Sequence, residues 1–160
     1  MLSKILTPEQ CAKCRICCGF VDSDRWEIPL LAGEQERGSA GRLGAALDEI
    51  PGTKSSVFSM EFHGDEVIYC PAAGKNGCVL GGERPFDCRI WPFRVMNLNG
   101  TNVITLSPVC PEVMKLPLSS LVDFVNSDGF ADTLFRHAGD YPESVKKYIS
   151  GYPILTVECK

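Results

Sequence analysis

The spacing of the cysteines is the feature that most constrains this chain. The 160 residues include nine cysteines, and eight of them form one pattern, a run C-x2-C-x2-C-C followed by four separate cysteines. The members of the pattern are Cys11, Cys14, Cys17, Cys18, Cys70, Cys78, Cys88 and Cys110. Thiolates two residues apart in a tight turn can reach one metal ion without strain, and thiolates are the donors that soft metals prefer. The pattern therefore predicts that these eight cysteines hold a metal centre.

A secreted domain stapled by disulfides is the main alternative. The odd number of cysteines and the adjacent pair Cys17-Cys18 count against it, because adjacent cysteines suit disulfide geometry poorly. The opening residues, MLSKILTPEQ, lack the apolar run of a signal peptide, and no stretch approaches the roughly 18 apolar residues of a membrane span. We therefore expect a cytoplasmic protein with reduced thiols and no membrane association.

Composition and charge narrow the classes of partner and reaction. The net charge is −4 and basic residues form no runs, which argues against a nucleic-acid partner. The apolar fraction of 44% is enough for a folded core. No phosphate loop, dinucleotide fingerprint or Ser/His/Asp set is supported by the spacing, so the sequence identifies no catalytic residue and leaves open whether the protein is an enzyme.

Local patterns predict the secondary structure. Thr7-Pro8 suits a helix start, and residues 27–50 predict two short helices joined by the link GSAG. Alternating residues predict a hairpin from 57–62 and 67–69, and a second one from 93–98 and 102–106 around Asn99-Gly100. Residues 71–92 predict a loop with little regular structure, which a metal would order. Helical spacing marks 119–125, 130–138 and 142–149.

The expected fold class is therefore α+β, a small cysteine-rich metal-binding domain with two short β-hairpins flanked by helices. We expect residues 1–116 to form the metal-binding domain and residues 117–160 to form a helical extension packed on it. Cys159 lies outside the cysteine pattern and is expected to be a free thiol. His63 and His137 are expected to be ordinary histidines rather than ligands, because enough cysteines exist without them.

Two details of the cysteine pattern bear on the choice of metal. A [4Fe-4S] cluster is commonly held by C-x2-C-x2-C and a distant Cys-Pro, and both Cys70-Pro71 and Cys110-Pro111 offer the latter. Zinc fingers more often use two separate C-x2-C knuckles. Neighbours on a helix point about 100° apart, so Cys17 and Cys18 do not suit one small zinc site together. The count fits two zinc sites, two clusters, or one cluster with spare thiols, and the pattern favours iron–sulfur over zinc.

Three segments carry a resemblance to a known family. CAKCRICC, YCPAAGKNGCVL and RPFDCRIWPF, within residues 11 to about 111, resemble the CxxCxxCC cysteine-cluster family, which is described as a zinc- or iron-chelating domain. The resemblance implies the same cysteine ligands and leaves the metal open. Arg84 and Arg89 match the family pattern and are expected to contact the cofactor by donating hydrogen bonds to thiolates. The alternative is that these arginines form loop salt bridges with acids such as Glu83 and Asp87.

The leading functional hypothesis is a cysteine-ligated metal centre, iron–sulfur rather than zinc, for electron transfer or for redox work in a protein-modification system. One alternative is a structural zinc module that presents a surface to a partner protein. Another is a metal-dependent protein-modifying enzyme. In each case the expected partner is a protein or a redox partner, and the sequence does not fix the oligomeric state.

Overall fold

The computed structural model describes residues 1–159 and combines short helices with small sheets, so the α+β class is confirmed. The helices are α1 Pro8–Cys14, α2 Gly33–Gly41, α3 Phe86–Ile90, α4 Leu118–Val125 and α5 Phe130–Asp140. The strands are β1 Gly19–Phe20, β2 Leu47–Glu49, β3 Ser56–Phe58, β4 Ile68–Tyr69, β5 Ala73–Gly74, β6 Gly77–Cys78, β7 Phe93–Leu98, β8 Thr101–Leu106, β9 Lys146–Lys147 and β10 Ile154–Val157. None of these helices is long and apolar enough to cross a bilayer.

The chain forms two compact units. The first, Leu2–Arg89, is called here the cysteine-rich unit, and the second, which comprises Met1 and the residues from Ile90 on, is called the sheet unit. The expected division into residues 1–116 and 117–160 rests on where a metal centre lies, and it stays a prediction.

The cysteine-rich unit is built from three two-stranded antiparallel sheets, which pair β1 with β4, β2 with β3, and β5 with β6. Its strands are two or three residues long. A small apolar core lies among them, made of Phe20, Ile28, Leu31, Ala40, Phe58, Ala72 and Leu80. Such short ladders offer few backbone hydrogen bonds, so this unit depends on side-chain packing and on the loops between the strands.

The predicted start of the first helix is confirmed. Thr7 caps α1 because its hydroxyl accepts a hydrogen bond from the Gln10 amide, at 3.3 Å, while the Gln10 side chain accepts one from the Thr7 amide, at 2.8 Å. Pro8 occupies the first turn, where a missing N–H costs nothing. The helix ends at Arg15, whose φ of 54° lies in the left-handed region.

Three local predictions in the cysteine-rich unit are wrong. The segments at 57–62 and 67–69 do not pair with each other, because β3 pairs with β2 and β4 pairs with β1. Residues 27–50 form one helix rather than two, since the GSAG link is the last part of α2 and Leu47–Glu49 is a strand. The loop expected at 71–92 contains the β5–β6 hairpin, a 3-10 turn at Gly81–Glu83 and α3.

The sheet unit has a four-stranded sheet in the order β10-β8-β7-β9. The hairpin predicted around Asn99-Gly100 is confirmed, with register pairs from Phe93↔Leu106 to Leu98↔Thr101 and positive φ at both turn residues, 51° and 88°. The predicted helices at 119–125 and 130–138 are confirmed as α4 and α5. The helix predicted at 142–149 is wrong, because a 3-10 turn at Pro142–Ser144 and strand β9 occupy that segment.

Aromatic packing anchors the core of the sheet unit. The ring of Phe93 lies 5.7 Å from that of Phe124 and 5.4 Å from that of Phe130, measured between centroids, and the latter two rings are 5.0 Å apart. Phe93 is fully buried, and Phe130 is 7% exposed. Edge-to-face and offset contacts of this kind add to the free energy gained by burial.

Candidate metal centre

Most of the cysteines selected from the sequence lie in the cysteine-rich unit, on five separate segments. Helix α1 carries Cys11 and Cys14, and the 3-10 turn Ile16–Cys18 carries Cys17 and Cys18. The later segments supply Cys70 after β4, Cys78 at the end of β6, and Cys88 within α3. All seven are partly buried free thiols.

The other two cysteines belong to the sheet unit. Cys110, the last member of the pattern, is a free thiol that is 3% exposed. Cys159 is exposed and free, as expected from the sequence. The expected role of Cys110 as a ligand stays a prediction.

Pairing of β1 with β4 brings Cys18 beside Cys70. Gly19 and Tyr69 are register partners, and the Cys70 amide donates a hydrogen bond of 2.7 Å to the Cys18 carbonyl. Gly19 is needed here for space, because a Cβ at this position would lie 2.9 Å from Cγ1 of Val67. Its φ of −113° is ordinary, and the left-handed residue of this segment is Arg15, which lies between Cys14 and Cys17.

The β5–β6 turn lies against α1 and so brings Cys78 near the cysteine run. A Cβ on Gly77 would lie 3.4 Å from the Cβ of Ala12, which sits between the two cysteines of α1. Gly77 also has a φ of 109°, a conformation that side chains rarely adopt. A residue with a side chain would therefore be strained at this position, which lies in contact with the helix that carries Cys11 and Cys14.

Cys17 and Cys18 form a hydrogen-bonded thiol pair. The bond to Cys18 raises the pKa of Cys17, and burial raises it further. The bond from Cys17 lowers the pKa of Cys18 to about 7, and the positive charges of Arg15 and Arg84 also favour its thiolate, while partial burial opposes them. In the metal-free pair Cys18 is therefore the thiol that loses its proton at the lower pH.

The other three thiols interact with this pair. Burial raises the pKa of Cys70 to about 11, and negative charge on Cys18 and Cys78 adds to the shift. Burial likewise raises the pKa values of Cys78 and Cys88, and negative charge on Cys18 raises both further. Negative charge on Cys88 and Cys11 in turn adds to the raised pKa of Cys17. Six thiols from separate segments thus lie close enough to influence one another's protonation.

The gathered thiols do not form a finished ligand set. Among residues 1–159, no group of three or more histidine, cysteine, aspartate or glutamate side chains is placed so that it could hold a metal ion. His63 is exposed, and the ring of His137 lies 5.0 Å from that of Tyr141; the expectation that neither is a ligand stays a prediction. Metal binding would therefore require cysteine side chains to reorient.

Of the two arginines expected to contact the cofactor, Arg84 is the one that acts on thiols. Its charge lowers the pKa of Cys18 and of Cys78, and its Nε donates to the Gly81 carbonyl at 3.1 Å. Arg89 instead lies 3.4 Å from Glu36 through Nη2, with its guanidinium carbon 5.5 Å from the centroid of the Phe86 ring.

The expected acidic partners of these arginines are engaged elsewhere. Glu83 pairs with Arg42, and Asp87 accepts a hydrogen bond from the Leu30 amide. The charges that accompany the thiols therefore differ in part from those that the sequence suggested.

Arg15 is a site residue that the sequence analysis missed. Its guanidinium carbon lies 4.7 Å from the centroid of the Tyr69 ring, and its charge favours the Cys18 thiolate. The signal was its place inside CAKCRICC, at the point where a helix that holds two cysteines has to end. Only the folded chain shows that the positive φ at this residue and its position over Tyr69 occur together.

Comparison with known proteins gave no relative. No protein-family model matches the chain, and neither the curated proteins nor the solved structures compared with it gave a match. The resemblance to the CxxCxxCC cysteine-cluster family therefore rests on the three sequence segments quoted above.

Proposed function

We propose that this protein binds a cysteine-ligated metal centre, an iron–sulfur cluster rather than zinc, and uses it for electron transfer or for a redox step in protein modification. The proposal rests on the gathering of six interacting thiols from five separate segments of the cysteine-rich unit. Ligands of one metal centre have to converge when the chain folds, and these thiols come from positions as far apart as Cys11 and Cys88.

The chemistry of the donors fits such a centre. Thiolates are soft ligands that suit zinc and iron–sulfur clusters, and these thiols are partly shielded from water. The ligands would come from Cys11, Cys14, Cys17, Cys18, Cys70, Cys78 and Cys88, with Cys110 kept as a candidate. Because no three of these side chains are placed as ligands of one ion, binding would require the side chains to rotate.

The chain supplies two further contributions. Arg15 and Arg84 place positive charge near Cys18, which offsets the negative charge that deprotonated thiols accumulate. Burial of Cys70 and Cys88 keeps these sulfurs protonated until a metal displaces the proton. A bound cluster would supply one-electron transfer, and the surrounding charge and burial would tune its reduction potential.

The direct test is to purify the full chain without oxygen and to assay iron, acid-labile sulfide and zinc. We expect iron and sulfide together with a broad absorbance near roughly 400 nm, which is typical of sulfur-to-iron charge transfer. Stoichiometric zinc without sulfide would overturn the iron–sulfur assignment and support the structural zinc module. Protein that holds no metal even after reconstitution would overturn the metal centre itself.

Matched serine variants test the ligand assignment. Cys88→Ser should reduce bound metal per chain, because serine is a poor ligand for soft metals. Cys159→Ser should leave it unchanged, because that thiol is exposed near the chain end. The opposite result, with loss in Cys159→Ser and full loading in Cys88→Ser, would show that the ligand assignment is wrong.

A further inference from the structure

Helix α3 carries Cys88 but is too short to fix its own orientation. It spans five residues, and an isolated helix of that length does not persist in water because nucleation is unfavourable. Its first amide, that of Phe86, has no carbonyl partner within the helix, as at any helix start. The direction in which Cys88 points must therefore be set by groups outside the helix.

Glu36, on α2, supplies that restraint. One carboxylate oxygen accepts a hydrogen bond of 2.8 Å from the Phe86 amide and lies 3.4 Å from Nη2 of Arg89. The other oxygen accepts one of 2.9 Å from the Ala32 amide. The side chain of Glu36 is only 14% exposed, and burial raises its pKa although both amides favour the ionised form. A single carboxylate thus ties both ends of α3 to the start of α2.

A second carboxylate crosses the same gap in the opposite direction. Oδ2 of Asp87 accepts a hydrogen bond of 2.9 Å from the amide of Leu30, and both residues are buried. The two carboxylates are close enough for Asp87 to raise the pKa of Glu36. Placing like charges together costs free energy, and here the cost is offset because each carboxylate receives backbone hydrogen bonds.

These restraints act on three of the four other residues of the helix. Contacts with Glu36 hold Phe86 and Arg89, and the contact with the Leu30 amide holds Asp87. Helical geometry turns about 100° per residue, so Cys88 projects away from the side that Phe86 and Arg89 share. Burial raises the pKa of Cys88, and negative charge on Asp87, Cys70, Cys78 and Cys18 raises it further.

We propose that Glu36 is a positioning residue, which fixes the orientation of Cys88 by clamping the start of α3 to α2. The importance of this orientation for metal binding rests on the proposed function, but the clamp itself does not. Loss of groups that orient metal ligands typically weakens metal affinity 10- to 100-fold.

The test substitutes Glu36→Gln in the full chain, with Glu34→Gln as the matched control. Glu34 lies on the same helix, is exposed, and loses the same charge. An amide at position 36 keeps one acceptor but presents an NH2 group to one of the two backbone amides that the carboxylate now satisfies. Glu36→Asp is the second variant, since it keeps the charge but is one methylene too short to reach Ala32 and Phe86 together.

Two readouts separate the clamp from the metal. In metal-free protein, iodoacetamide should modify Cys88 several-fold faster in Glu36→Gln and Glu36→Asp than in wild type or Glu34→Gln, with Cys70 and Cys78 unchanged. In the metal-bound state, competition for Cd²⁺ should show that the two Glu36 variants bind the ion at least about tenfold more weakly than wild type. General loss of structure would instead speed modification of all three thiols alike, and that result would overturn the positioning role.

The remaining outcomes are also decisive. Unchanged Cys88 modification in both Glu36 variants overturns the clamp whatever the metal results show. Wild-type protein that binds no Cd²⁺ counts against the proposed function, while selective exposure of Cys88 in the same samples still supports the clamp. Equal Cd²⁺ affinity in wild type and in variants with a released Cys88 would show that Cys88 orientation does not govern binding, which overturns that part of the inference.

Discussion

At the scale of single residues, the adjacent cysteines Cys17 and Cys18 differ in their pKa values. The hydrogen bond to Cys18 and burial raise the pKa of Cys17. The same hydrogen bond and the nearby charges of Arg15 and Arg84 lower the pKa of Cys18. Sequence reasoning noticed only that the two side chains point apart on a helix. The difference in their chemistry comes from the folded surroundings, since both cysteines have the same ordinary pKa.

The first prediction follows from this pair. In metal-free, reduced protein, alkylation of Cys18 by iodoacetamide should rise with pH around a midpoint near its pKa of about 7, because the thiolate is the reactive form. Cys17→Ala should move the midpoint upward, since the largest cause of the lowered pKa is lost. Peptide mass spectrometry of samples quenched across pH 5 to 10 measures both. A Cys18 profile that Cys17→Ala leaves unchanged would contradict the hydrogen-bond explanation.

The second prediction concerns the buried thiol of Cys70. Its pKa is raised from 9.0 to about 11 by burial, so the folded state holds this proton more tightly than the unfolded state. The resulting stabilisation is fully present below pH 9 and is lost as the pH rises through the folded value. Metal-free protein should therefore lose on the order of 1 kcal/mol of unfolding free energy between about pH 8 and 10 from this group.

Urea unfolding under reducing conditions measures this loss. Cys70→Ser removes the titrating group and should show a smaller decrease between the two pH values, whereas Cys159→Ser should behave as wild type because that thiol is exposed. An equal decrease in wild type and Cys70→Ser would mean that burial of Cys70 is not linked to stability.

At the scale of elements, local signals predicted those structures that local interactions decide. Thr7-Pro8 marks a helix start through a hydrogen bond between neighbours in sequence, and Asn99-Gly100 marks a turn through its own backbone preferences. The strands at Ser56–Phe58 and Ile68–Tyr69 were recognised by alternation, but their partners were not. Strand β4 pairs with β1, from which it is separated by most of the cysteine-rich unit, and no short-range pattern encodes that choice.

The third prediction belongs to α1, the helix that carries Cys11 and Cys14. No residue of this helix is buried, so its capping box contributes a large part of its stability. Thr7→Ala should cost about 1 kcal/mol of local stability in the metal-free protein. Hydrogen exchange should then be faster at the amides of Cys11 and Arg15, which donate to the carbonyls of Thr7 and Cys11.

A nearby substitution serves as the control for this prediction. Ser3 is exposed in the turn before α1, so Ser3→Ala changes the same segment without touching the cap. Its exchange rates should match those of wild type. Similar acceleration in both variants would indicate that the N-terminal segment, rather than the cap, controls opening of the helix.

At the scale of the whole molecule, the two compact units have different means of staying folded. The sheet unit contains a hairpin of two six-residue strands and three mutually packed phenylalanine rings, so it has the usual content of a hydrophobic core. The cysteine-rich unit has strands of two or three residues and a smaller apolar cluster. The composition of the whole chain is an average over the two units, so it could not show that their hydrophobic cores differ.

The candidate site was predictable in part for the same reason. The cysteines can be selected from the sequence by their type and spacing, and the convergence of six of them agrees with a shared role. Glu36 and Arg15 are ordinary surface-type residues in the sequence. They gain a place beside the site only through the hydrogen bond of Glu36 to Phe86 and the stacking of Arg15 on Tyr69, and both contacts join segments far apart in the chain.

The last prediction follows from the contrast between the two units. A ligand that binds only the folded state stabilises the region that forms its site, so metal should slow hydrogen exchange throughout the cysteine-rich unit. Without metal, amides of β1, β4 and α3 should exchange faster than those of β7 and β8, because short ladders open at low free-energy cost. Exchange measured by mass spectrometry on reduced protein, with and without reconstituted metal, gives both values.

The Cys88→Ser variant is the control and should gain less protection in β4 and α3 at equal metal concentration. Protection that rises in β7 and β8 alone would show that the metal acts outside the cysteine-rich unit, and the proposed ligand set would then be wrong.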